Sequence, residues 1–279
     1  MEQIKQAVER AKADTSKDQL RPIGLDVQIA PPQSAPQKVG RPLDSNASPR
    51  NAVKLNWSQL EQCRMVAHNV ADPRSKAFDM LRTQVLQTMD QKNWKFLAIT
   101  SPTAGCGKTV TSINLALSIA RQPERSALLV DMDLQRPAVA NYLGIKSRHG
   151  VQAILQGKAT LTDAVVRAHA DTCELLVLAA EASTLHSSEL IGSRNMDILL
   201  QEIKRTPKPY TVIFDMPPLL QGDEVLATLP KIDAVILVTA VGVSTVHEIK
   251  ECNKHLQASE VIRLVLNKSQ ESARKYYQY

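Results

Sequence analysis

Aromatic side chains are scarce in this chain, at 4% of 279 residues, and three of its five tyrosines crowd into the last four positions. No basic-aromatic stripe and no nucleic-acid reading motif accompanies the formal charge of +6, so nucleic acid is not expected as a partner. Cysteine is equally sparse. Cys63, Cys106, Cys173 and Cys252 are scattered with no CxxC pair, which excludes a disulfide framework and a cysteine zinc site and reads as reduced thiols. Long apolar runs are missing too: the longest, Ala234 to Val243, is too short to span a bilayer and contains Gly242. The first residues, MEQIKQAVERAKAD, have no apolar signal region. These absences predict a cytoplasmic chain whose membrane attachment, if it has one, comes through a partner. What remains, 43% hydrophobic and 22% charged residues, is the composition of a globular protein with a sizeable core.

Three regions follow from the pattern. Residues 1–64 read as a short amphipathic helix, with Ile4, Val8 and Ala11 at helical spacing, and a flexible linker with six prolines between Arg21 and Arg50. Residues 65–268 alternate short apolar runs with amphipathic stretches. The runs are Lys95–Thr100, Ala127–Asp131, Leu175–Ala179, Thr211–Asp215, Ala234–Thr239 and Ile262–Asn267. Such runs are buried parallel strands joined by crossover helices, which makes the domain a three-layer α/β fold with a mostly parallel sheet. Residues 269–279 form a polar, tyrosine-rich tail that cannot pack as a core element. In a sheet of this kind ligands sit beyond the carboxyl ends of the strands.

The first of those ends runs into Ser101-Pro102-Thr103-Ala104-Gly105-Cys106-Gly107-Lys108-Thr109, followed by the helical run from Val110 to Ala120. Strand, small-residue loop, Gly-Lys-Thr and helix are the parts of a phosphate-binding loop, although Pro102 stands where the strict pattern has its first glycine. Gly105 and Gly107 let the backbone turn its N–H groups onto phosphate oxygens, and the helix N-terminus adds partial positive charge. ATP and Mg²⁺ are the expected ligands: residues Ala104 to Val110 would wrap the nucleotide, Lys108 would reach the β- and γ-phosphates, and the Thr109 hydroxyl would ligate the ion.

Two further strand ends are acidic. LLVDMDLQRP places Asp131 and Asp133 two residues apart, on one side if the strand continues, and VIFDMPP puts Asp215 ahead of Pro217. Carboxylates beside a phosphate loop hold Mg²⁺ through water or accept a proton from an attacking hydroxyl. A single such aspartate would equally serve to cap the next helix.

The set SPTAGCGKT, LLVDMDLQRP and VIFDMPP resembles the Walker A, Walker A′ and Walker B motifs of the bacterial tyrosine kinases (BY-kinases). The resemblance extends over about residues 65–279, through KAFDMLRTQV, SSELIGSRNMDILLQEIK, PPLLQGDEV and the terminal KYYQY. The leader resembles, more loosely, that of the autokinases found beside PEP-CTERM and exosortase-linked exopolysaccharide genes. The resemblance implies a P-loop fold and an ATP-dependent tyrosine autokinase that regulates capsular or exopolysaccharide polymerisation and export. By it Lys108, Asp131, Asp133 and Asp215 are catalytic, Thr109, Asp131 and Asp215 are metal positions, and Asn267 lies near the adenine or is an ordinary strand-end turn residue. Asp133 is assigned as the base, with exchange of roles between Asp131 and Asp133 left open. Tyr276, Tyr277 and Tyr279 become the acceptors, modified in trans. The implied partners are a transmembrane co-polymerase that activates the kinase and recruits it to the inner membrane face, a cognate phosphotyrosine phosphatase, and further copies of the chain.

Three positions depart from the family pattern. Cys106 replaces a common Glu and, at a helix N-terminus, is expected to be oxidisable. Gln135 replaces a basic residue, leaving Arg136 as the nearby cation. Lys76-x-x-Asp79-x-x-Arg82 replaces the Glu-x-x-Arg-x-x-Arg used for ring assembly, so the family's ring contacts are in doubt. Two other readings compete with the kinase: a partition-type switch ATPase, whose signature lysine is Thr103 here, and a nucleotide-binding regulatory module without transfer activity.

Overall fold

Along each central strand, alternate side chains enter opposite layers, and that alternation builds the molecule. Phe96 and Ala98 join one apolar cluster, while their neighbours Leu97 and Ile99 join the other. The computed structural model of the chain describes residues 52–170, 173–205, 210–257 and 259–269. Its eight strands are β1 (Ala52–Lys54), β2 (Phe96–Thr100), β3 (Ser126–Asp131), β4 (Val166–Ala170), β5 (Cys173–Leu178), β6 (Tyr210–Asp215), β7 (Ala234–Ala240) and β8 (Val261–Asn267). They form one sheet in the order β1-β4-β5-β3-β6-β2-β7-β8. Every neighbouring pair is parallel except β4 and β5.

One layer is built on α1 (Trp57–Gln62), α2 (Ser75–Lys92) and α3 (Lys108–Ala120); the other on short helices α5 (Val151–Leu155), α6 (Leu161–Ala164) and α7 (Ser187–Ile191), with α8 (Arg194–Lys204), α9 (Glu224–Thr228) and α10 (Val246–His255). Helix α4 (Val139–Leu143) joins the α3 side through Val139 and Leu143. In the second layer Phe96 meets Phe214 edge to face, their ring centroids 5.4 Å apart. Helix α3 is covered nearly all round, and its buried Asn114 satisfies the chain that crosses it. Asn114 Oδ1 accepts from the amides of Val66 (2.8 Å) and Ala67 (2.9 Å), and its Nδ2 donates to the Arg64 carbonyl at 3.0 Å.

The six expected parallel strands are present, with ends shifted by one or two residues. Two strands went unread, β1 and β4. The packed body also starts earlier than residue 65: β1 pairs with β4, the Leu55 amide bonds to the His169 carbonyl at 2.9 Å, and Leu55, Leu60 and Met65 are buried. The apolar side chains at 55 and 60 decide this, since they fill the α3 layer beside residues 85–89. The expected helix near residues 1–14, the proline-rich stretch and the tyrosine tail from residue 270 lie outside the described residues. No described helix is long and apolar enough to cross a membrane.

Candidate nucleotide site

The loop from Ser101 to Gly107 leaves β2 and enters α3 through two left-handed residues, Gly105 (φ 82°) and Gly107 (φ 90°). A side chain at 107 would be strained by that φ and would also strike the amide of Asn267. Asn267, at the end of β8, donates from Nδ2 to the Cys106 carbonyl at 2.9 Å and so ties the sheet's last strand to the loop. From the other side, the Leu219 amide donates to the Ser101 carbonyl at 2.8 Å, which stitches the segment after β6 beneath it. Ala104 and Gly105 are exposed, and Val110 is half-buried against the α3 layer.

Four charged groups converge where this loop meets the ends of β3 and β6. Lys108 Nζ lies 2.8 Å from Asp133 Oδ2 and 3.8 Å from Asp215 Oδ2. Asp215 is fully buried and accepts from Thr109 Oγ1 at 2.7 Å and from Ser112 Oγ at 3.0 Å. Ser112 was not singled out in the sequence; its position three residues past Thr109, on the same face of α3, was the available signal. Asp131 stands opposite Asp215 in the strand register. Its Oδ2 accepts from the amides of Ala138 (3.1 Å) and Val139 (3.0 Å), so it caps α4 while facing the site. Asp133 does not ride on a continued strand, because β3 ends at Asp131. It reaches Lys108 from the loop that follows, where its Oδ1 accepts the Arg136 amide at 3.0 Å.

Burial dominates the electrostatics. It raises the Asp131 carboxyl to about 7, with the nearby Asp215 charge adding to the effect. Burial likewise pushes Asp215 upward, against the pull of Lys108 and its hydroxyl donors. Burial alone would lower Lys108, but the Asp215 and Asp133 carboxylates override it and hold the amine above its usual range. Cys106, expected to be oxidisable, is 1% exposed; its thiol faces the α3 layer, 3.3 Å from Ser244 Oγ, where an oxidant has no access. The Arg136 side chain is exposed.

Among the described residues no group of three or more histidine, cysteine or carboxylate side chains is arranged to hold a metal ion alone. The site does fit Mg²⁺ arriving with a nucleotide, since that ion is usually held by one or two carboxylates together with phosphate oxygens and water. The oxygen groups such an ion would meet here are the Thr109 hydroxyl, Asp215 and Asp131. Tyr276, Tyr277 and Tyr279 lie outside the described residues.

A family model described as an AAA domain matches residues 94–268. The tyrosine-protein kinase CpsD of Streptococcus pneumoniae serotype 4 is 31% identical over 188 residues, covering 65% of this chain and 79% of that protein. YwqD of Bacillus subtilis, another tyrosine-protein kinase, is 26% identical over 82% of this chain and 95% of its own. Against EpsB of Ralstonia solanacearum the match is 30% over 68% of this chain, which spans a quarter of that relative's length. Among solved structures, the VpsO kinase domain superposes with a TM-score of 0.63 at 29% identity, covering 75% of this chain and 98% of that one. MinD of Pyrococcus horikoshii, solved with Mg-ADP, shares the fold at a TM-score of 0.54 and 22% identity, over 64% of this chain and 72% of its own.

Proposed function

The chain belongs to the bacterial tyrosine kinases, and from that membership we propose that it is an ATP-dependent autokinase acting on its own Tyr276, Tyr277 and Tyr279. The observation that carries the reading is Lys108 at a phosphate loop, held among two strand-end carboxylates, Asp131 and Asp215, and Asp133 from the loop after β3. The loop amides and Lys108 would neutralise the phosphates as charge moves toward the leaving oxygen. Mg²⁺, held by Thr109, Asp131 and Asp215 with the phosphates, would supply further charge neutralisation. Asp133 would take the phenolic proton as the tyrosine oxygen bonds to the γ-phosphorus and the bond to the β-phosphate oxygen breaks, releasing ADP. Asp133 is the base in this reading because its carboxylate is the one in direct contact with Lys108 at 2.8 Å, while Asp131 Oδ2 is turned to the α4 amides. Asn267 would sit at the base end of the nucleotide.

Transfer in trans, control of capsular or exopolysaccharide export, an activating transmembrane co-polymerase that brings the protein to the inner membrane face, and a phosphatase that resets it complete the reading. These rest on the resemblance of the motif set and on family membership.

The test is incubation of the full chain with labelled ATP and Mg²⁺, followed by phosphosite mapping, using a Lys108→Met chain mixed with an active chain lacking residues 276–279. Phosphotyrosine on the defective chain's tail is the expected result. ADP and inorganic phosphate without any phosphotyrosine would overturn the kinase reading in favour of a switch ATPase.

A further inference from the structure

Glu224, the first residue of α9, is 1% exposed, and no described residue forms an ion pair with it. A carboxylate so placed is costly unless hydrogen bonds hold it. Its Oε1 accepts from Gln135 Nε2 and, at 2.6 Å, from Ser187 Oγ at the start of α7. Its Oε2 has no hydrogen-bond partner among the described residues and lies over Gly222, where a side chain would collide with it. The Gln-Gly-Asp-Glu sequence is thus shaped to house this group. Next to it, Ser188 Oγ donates to Asp223 Oδ1 at 2.6 Å, clamping α7 to α9 a second time.

The other end of the contact is the loop that carries Asp133. Gln135 lies two residues past Asp133, and its carbonyl accepts from Ser183 Oγ at 2.6 Å. The Leu134 carbonyl accepts the Thr184 amide at 2.9 Å. The backbone of this loop is therefore fixed by the segment after β5, while the Gln135 side chain ties it to the segment after β6 through Glu224 and to α7 through Ser187 Oγ at 3.3 Å. We propose that Glu224 is a positioning residue: through Gln135 it locks the loop after β3 so that Asp133 keeps its place against Lys108. The Gln at 135 and the Glu at 224 form one device, in which an amide replaces a basic side chain and a buried acid fixes which way the amide points.

The proposal rests on the kinase reading only for what is transferred. Glu224→Ala should lower the transfer rate at saturating ATP by about 10-fold or more, the scale typical when support behind an active-site group is removed. ATP half-saturation should stay within about twofold, because the phosphate loop is untouched. Glu224→Gln keeps an oxygen for Gln135 and Ser187 and should restore most of the rate. Gln135 is exposed, so Gln135→Ala tests the same contact without opening the core, and the double variant should be no slower than the worse single one. Rates within twofold of wild type for both alanine variants, a loss confined to ATP half-saturation, or effects that multiply in the double variant would overturn it. If wild type releases phosphate without phosphorylating tyrosine, the kinase reading fails, and the same comparison is read on ATP hydrolysis.

Discussion

Arg121 Nη2 donates to Asp79 Oδ1 at 2.6 Å, joining the second turn of α2 to the residue just past the end of α3. The same oxygen accepts from Ser118 Oγ at 2.5 Å and from Arg82 Nη1 at 3.1 Å. These partners hold the Asp79 carboxyl below its usual range in spite of its burial. The exchanged charge at position 79, which put ring assembly in doubt, therefore has an internal use: an acid is needed to meet Arg121, whose other donor reaches the Ala67 carbonyl at 2.7 Å. Reversing Lys76 and Asp79 would disturb this clasp before it reported on any neighbour.

Asp79→Ala should accordingly cost about 1–3 kcal/mol, the scale of leaving partly buried donors unmet. The loss should appear in the urea midpoint of the isolated chain at any protein concentration. A loss that grows on dilution would mean that Asp79 acts between copies instead.

Lys108→Met removes the one cation that, among the described residues, contacts the buried carboxylates Asp133 and Asp215. Turnover should fall by about 100-fold or more. The fold should survive at pH 6 and weaken toward pH 8, because the carboxylates escape their mutual repulsion by protonation. Thermal melts across that range, alongside the activity assay, check both halves. Equal stability at the two pH values would contradict the electrostatic account.

Asp131 makes a separate pH prediction. Its carboxyl titrates at about 7 in the folded chain, against about 3.9 in an unfolded one, so the folded state binds more protons between those values. Its contribution to stability is therefore lost as pH rises from about 4 to 7. Asp79, shifted down, does the opposite and costs stability only when pH falls below about 4. Asp131→Asn should gain on wild type in thermal midpoint as pH is raised from 5 to 8. Mg²⁺-dependent ATP affinity of wild type should weaken below pH 7, as protonated Asp131 ceases to attract the ion.

Much of this was legible in the residues. Strands buried on both faces are continuous apolar runs, so β2, β3, β6 and β7 declared themselves, with the phosphate loop and Asp215 at their ends. β4 reads Val-Arg-Ala-His-Ala, with half-exposed Arg167 and His169 interrupting it, and three-residue β1 borders a proline-rich stretch. Neither resembles a buried strand in isolation. Spacing found Asp133 for the wrong reason, since a loop and not a strand delivers it to Lys108. The Gln135–Glu224 contact joins residues 89 apart through a fold no local pattern encodes.

Residues 52–64 should be indispensable to the domain. Leu60 is fully buried, and Leu60→Ala should destabilise by about 2–5 kcal/mol. Deleting residues 1–50 should leave the melting transition in place, whereas deleting 1–64 should broaden or abolish it. A sharp, unshifted transition in the longer deletion would return the boundary to residue 65.

Thr109 and Asp215, in hydrogen-bond contact, are 106 residues apart in the chain. A ribosome adding about 5–20 residues per second needs about 5–20 s to cover that interval. Throughout it, the lysine and hydroxyls of the phosphate loop are out of the tunnel without their buried acid, and β2 lacks the neighbour that separates it from β3. The nucleotide site is thus a late product of synthesis, and a nascent chain stalled before β6 cannot turn over ATP however complete its phosphate loop.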